Sequence, residues 1–228
     1  MMKKISMKHF LSGMLICMAV LALHCSRDKS TITGADNPAP PDTLKDWKPA
    51  IYIYPDSPID LTVTLSFPQG GRVTTSEPLY PETGWQVNVQ PDGVIDNAWP
   101  YLFYECNLPY LFQTDTGWRV EQSDLTGFFQ SCLQQYGLNE RELADFIAFW
   151  PSRLTAYDIY LIYPQPRDLM DEIIKLDLSV QPQNMQRLHF LFRGVSKNDK
   201  TIPTPPQIKS VKREGLTVIE WGGMMYNE

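Results

Sequence analysis

The stretch "LTVIEWGGMM", residues 216–225, decides how this chain is read. Thr217, Ile219 and Trp221 alternate with Val218 and Glu220, which is the two-residue period of a β-strand. Gly222-Gly223 reads as the turn that ends it. Glu220 is the unexpected residue. If both faces of the strand are covered it needs a partner, because an unpaired buried carboxylate is strongly destabilising. Arg187, in the strand "RLHFLFRGV" (187–195), is placed to supply one, as a structural ion pair that fixes strand register. A rival reading makes Glu220 half of a catalytic pair with Glu105, in the strand "YLFYE" (101–105). Trp85, Tyr104 and Trp221 would then supply ligand-binding faces for a saccharide. Two carboxyls across a glycosidic bond sit ~5 Å apart in retaining hydrolases and ~6.5–9.5 Å apart in inverting ones.

The strands around this stretch carry similar patterns. "AIYIYP" is a short apolar strand closed by Pro55. "DLTVTLSF" sets Leu61, Val63, Leu65 and Phe67 against Thr62, Thr64 and Ser66. After the turn "PQGG", "RVTTS" is placed to return as its hairpin partner. "GWQVNVQ" alternates again with Trp85, Val87 and Val89. The centre is helical: Leu125, Phe128, Phe129, Cys132, Leu133 and Tyr136 fall on one helix face, with Ser123 as N-cap and Gly137 as terminator. "LNERELADFIAFW" starts a second helix, with Asn139 and Glu142 as a capping box. "YDIYLIY" (157–163) is a strand, and "PRDLMDEIIKL" is a short helix or irregular. These readings define an α+β domain over residues 47–228. It has an antiparallel β-sandwich-like N-terminal half, a central αα-hairpin and C-terminal strands, all in one compact domain.

Residues 1–24 carry Lys3, Lys4 and Lys8 before an apolar run from Phe10 to Leu23. That is the layout of a signal peptide, and the run is shorter than the ~20 residues a spanning helix needs. Cys25 follows directly, as in a bacterial lipoprotein signal, in which this cysteine becomes lipidated. The alternatives are an ordinary cleaved signal and an uncleaved anchor. Residues 25–46 are polar and rich in Pro, Ser, Thr and Asp, and read as a flexible tether. The expected location is the cell envelope, with the membrane as a partner through the N-terminal lipid and an envelope glycan or protein as a further one.

Removing the leader lowers the Lys plus Arg count from 20 to 17 against 26 acids, a formal charge of −9. That excludes nucleic acid as a partner, since phosphate binding depends on clustered cations. His9 and His24 leave with the leader, so His189 is the one histidine remaining and a multi-histidine metal site is excluded. No Cys/His spacing suggests zinc, and no cofactor is implied. Cys106 and Cys132 are a possible disulfide in an oxidising envelope; the alternative for Cys132 is a buried thiol on the apolar helix face.

Several stretches occur in a familiar order: "KPAIYIYP", "TGWQVNVQPDG", "YLFYE", "TGWRV", "LQQYGLNERELADFIAFWPSRL" and "GLTVIEWGG". Together they resemble a widespread family of uncharacterised bacterial proteins, over roughly Lys48 to Gly223. The resemblance implies one integral, often exported domain, and it implies no reaction. Tyr104 stands where the family commonly has tryptophan, and Cys106 where it has a small residue. The function expected is a non-enzymatic binding or scaffolding role in the envelope. The alternative is a carboxylate-dependent hydrolase of envelope glycans.

Overall fold

The computed structural model describes residues 43–109 and 112–226. The leader, Cys25 and the tether up to residue 42 lie outside the described residues. Ten strands and three helices follow in the order β1 (Thr43–Tyr54), β2 (Ile59–Ser66), β3 (Arg72–Glu77), β4 (Trp85–Val89), β5 (Leu102–Pro109), β6 (Trp118–Glu121), α1 (Leu125–Tyr136), α2 (Glu140–Phe149), β7 (Ile159–Gln165), α3 (Arg167–Ile173), β8 (Lys175–Leu178), β9 (Asn184–Val195) and β10 (Thr217–Tyr226). The domain is α+β. A seven-stranded mixed sheet has the order β3-β5-β1-β10-β9-β7-β6, and a three-stranded sheet the order β4-β2-β8. β1 begins at Thr43, inside the stretch read as tether. Among the described residues no helix is long and apolar enough to cross a membrane.

The opening stretch is β10, the central strand of the large sheet, and all of Thr217–Met224 is buried. It is antiparallel to β1 and parallel to β9. A strand covered on both faces carries a near-continuous apolar run, which is what "TVIEWGGMM" is apart from Glu220. Gly222 and Gly223 do not turn the chain, contrary to the expectation; β10 runs through them to Tyr226. Their role is close approach. A Cβ on Gly222 would meet Pro49 Cγ at 3.1 Å and the His189 ring at 3.2 Å. A Cβ on Gly223 would meet Phe192 at 2.6 Å and Trp150 at 2.7 Å. One glycine makes room for each face of the sheet.

Two hydrophobic cores lie on the two faces. On one, Ile51, Ile53, Leu102, Leu161 and Val218 pack with Leu61, Val63, Trp85 and Val87 of the small sheet and with Met170 and Ile173 of α3. On the other, Tyr52, Phe190, Phe192 and Trp221 pack with Phe129, Phe146 and Trp150 of the helical hairpin. Asn139 caps α2 in a full capping box with Glu142. Glu142 is buried and also takes Arg213, from the segment that joins β9 to β10. Parallel neighbours need a crossover connection. Here residues 196–216 supply it without a helix or strand, fastened by Val211 N–H donating to the Tyr136 carbonyl at 3.0 Å.

Several expectations change. The N-terminal strands do not form a sandwich of their own: β1, β3 and β5 join the C-terminal strands in the large sheet, while β2 and β4 pair with β8. "RVTTS" is β3, and it pairs with β5 rather than returning on β2. Gly70 and Gly71, both at positive φ, swing the chain away. Gly71 sits so close to β5 that a Cβ there would lie 2.4 Å from the Asn107 carbonyl. The stretch expected to be a short helix or irregular holds the helix α3 and then the start of a strand, β8. Ser123 does not cap α1; a 3₁₀ turn occupies 122–124, Asp124 is the N-cap, and the Ser123 hydroxyl donates to the Asp124 carboxylate at 3.2 Å.

Candidate functional site

A buried polar cluster sits on the face of the large sheet that packs against the small one. β10 brings Glu220, β9 brings Arg187 and His189, and β5 brings Tyr104. Glu220 and Arg187 are directly opposite each other in the parallel register. Arg187, named from the sequence as its partner, donates from Nε to Glu220 Oε2 at 2.5 Å. His189 Nε2 lies 3.0 Å from the same oxygen. The Tyr104 hydroxyl donates to Oε1 at 2.7 Å. Both carboxylate oxygens are therefore engaged in a site where Glu220, His189 and Tyr104 are 0 % exposed. Arg187 continues outward, donating from Nη1 to Asp171 Oδ1 and to the Ile174 carbonyl, both at 2.6 Å.

Burial alone drives the Glu220 carboxyl upward; the Arg187 guanidinium, with His189 beside it, outweighs burial and holds it well below the usual carboxylate range. Burial pulls Arg187 the other way, and the Glu220 carboxylate outweighs that, holding the guanidinium above its ordinary value. Such a carboxylate is a permanent anion balanced by a permanent cation, unlike a general acid, whose pKa is tuned toward working pH. The linkage has a definite sign. A group whose pKa is lower in the folded state gives stability that is present above its unfolded pKa, roughly 4.3 for Glu, and lost as pH falls toward the folded value. The urea midpoint of the wild type should drop below about pH 4.5. In Glu220→Gln that acid limb should be shallower; equal limbs in the two proteins would contradict the assignment.

The structure places the remaining candidates elsewhere. Glu105 follows Tyr104 on β5, and strand alternation turns it to the opposite face from Tyr104 and its partner Glu220. The proposed hydrolase pair is thus split by the sheet itself. Trp85 is 2 % exposed, with Nε1 donating to the Pro78 carbonyl at 2.9 Å. Trp221 is also buried, on the helical face, where its ring meets Phe146 edge-on at 5.2 Å. With Tyr104 facing inward as well, these three aromatics are core residues rather than the walls of a saccharide cleft. Cys106 and Cys132 do not bond to each other, because they belong to the cores on opposite faces of the sheet. Burial pushes the Cys132 thiol up to about 12.

Sequence reasoning missed Asp171, and it set Tyr104 beside Glu220 as a ligand-binding face, whereas Tyr104 is a buried hydrogen-bond donor to that carboxylate. Besides Glu220 itself, the sign of the cluster in the sequence is the parity of β9, which sets Arg187 and His189 on one face. Asp171 lies on a short helix with no face of its own to read. Among the described residues no group of three or more His, Cys, Asp or Glu is placed to hold a metal. Compared with protein-family models, curated proteins and solved structures, the chain matches none. What fold and site define is an α+β protein on a mixed sheet with a paired charge cluster at its centre.

Proposed function

We propose that this chain is an exported envelope protein that works by binding or scaffolding, held at the membrane by a lipid on Cys25. The observation that carries the non-enzymatic part is the state of Glu220: buried, hydrogen-bonded through both oxygens and on the other side of the sheet from Glu105. A carboxylate so engaged and fully buried offers no exposed oxygen to a substrate and has no proton to give. The leader, the cysteine at its end and the polar stretch after it support the export and anchoring part, as does the resemblance to an often exported bacterial family. A tether of this kind keeps a rigid domain off the bilayer while a lipid chain supplies membrane affinity.

Fractionation of cells that express the full chain tests the anchor. The wild type should sediment with membranes, and Cys25→Ala should move to the soluble fraction with its thermal transition unchanged. Retention of Cys25→Ala in the membrane would overturn the anchoring role.

A further inference from the structure

β7 ends at Gln165, opposite His189, but β9 starts at Asn184. Over residues 184–188, β9 therefore has β10 on one side and, among the described residues, no strand on the other. The Met185 carbonyl accepts only a long 3.5 Å bond from Arg167 Nη1 among the hydrogen bonds of this side. Along this open edge lies a cleft of about 390 Å³. Its wall includes Gln186 and Leu188 of β9, Arg167 at the start of α3, and Gln207 and Lys209 of the 196–216 crossover. Arg187 lines it too, and its Nη2 is buried without a hydrogen-bond partner among the described residues.

The charge of this wall is the informative feature. The chain has a formal charge of −6, yet no Asp or Glu is among the described residues that line the cleft. Glu220 and Asp171 sit behind the wall and balance Arg187, and Asp171 is shared with Arg167. Lys209 has no such balance: it forms no ion pair among the described residues. A sheet edge offers backbone donors and acceptors to an extended chain. A cationic rim beside it selects a carboxylate through charge-assisted hydrogen bonds. The volume falls in the roughly 300–1,000 Å³ range of pockets that hold small ligands, enough for a few residues of peptide.

We propose that this cleft binds a short extended peptide with a free C-terminal carboxylate. The peptide backbone lies along the open side of β9, and its carboxylate is held by Lys209 and Arg167. The proposal deepens the binding role above and rests on it.

The test is calorimetric titration of the full chain with acetyl-Ala-Ala-Ala as the free acid and as the C-terminal amide, with mass spectrometry of the peptide afterwards. The acid should bind saturably at one site, and the amide at least ~10-fold more weakly, the equivalent of about 1.4 kcal/mol. Lys209→Ala and Arg167→Ala, both exposed positions, should each weaken the acid several-fold with the thermal transition unchanged. Raising the salt should weaken the acid and leave the amide unaffected, because the difference is electrostatic. Equal binding of acid and amide, no saturable binding of the acid at millimolar concentration, or insensitivity to both substitutions each overturns the proposal. A cleaved peptide supports the site and overturns the non-enzymatic role, so the two failures are separable.

Discussion

Glu220→Ala should lower the unfolding free energy by about 3–5 kcal/mol, the usual consequence of removing one member of a buried ion pair. In a chain of this size that is a fall in Tm of roughly 6–20 °C. The loss has two parts. The hydrogen bonds from Arg187 and Tyr104 disappear, and a guanidinium with no exposed surface is left, among the described residues, with Asp171 as its one carboxylate partner. Glu220→Gln keeps an acceptor for Tyr104 but loses the charge, so its effect should be intermediate. If alanine and glutamine both leave Tm unchanged, the cluster does not stabilise the fold. Thermal denaturation followed by far-UV circular dichroism is sufficient to distinguish these outcomes.

Gly223→Ala should cost about 1–3 kcal/mol, the range for forcing an extra carbon into a packed core. The new Cβ would lie 2.6 Å from Phe192 Cε2 and 2.7 Å from Trp150 Cζ2. Those rings are themselves fixed by Phe129, Phe146 and each other, at centroid distances of 4.6–6.2 Å. Neither ring has a free direction in which to retreat, so β10 itself must shift, and the Glu220–Arg187 register shifts with it. Gly127→Ala is the control. That glycine lies in α1 with nothing within 4 Å of its added Cβ. Its substitution should be neutral or stabilising, since Gly is the poorer helix former by roughly 0.5–1 kcal/mol. Equal effects at the two positions in urea denaturation would show that close packing is not why Gly223 is a glycine.

The parts of the fold legible in the sequence are those whose signals are local. The Asn139–Glu142 capping box, the apolar stripe from Leu125 to Tyr136 and the alternation of "DLTVTLSF" each depend on a few adjacent residues, and each appears as a helix or strand in its expected place. Strand partners depend on distant segments, and there the reading failed. Nothing in "RVTTS" distinguishes β2 from β5 as a neighbour. Nothing in "TVIEWGG" says that its neighbour β9 runs parallel, with residues 196–216 crossing over between them. The double glycine resembled a turn because turns are the commonest use of such pairs. Its actual use, to admit His189 on one side and Trp150 on the other, needs both sheet faces at once. The Arg187 partnership was legible for a different reason. A carboxylate on a strand buried on both faces must be answered, and few cations lie on strands that could face it.

The central claim is that Glu220 and Arg187 act as one unit that fixes β10 against β9. A double-mutant cycle over Glu220→Ala and Arg187→Ala, measured by urea denaturation at neutral pH, tests it most directly. The account predicts strong coupling, about 1.5–3 kcal/mol, with the double variant markedly less unstable than the two single losses added together. Additivity within ~0.5 kcal/mol would contradict it, and would return Glu220 to the position of a carboxylate in search of a role.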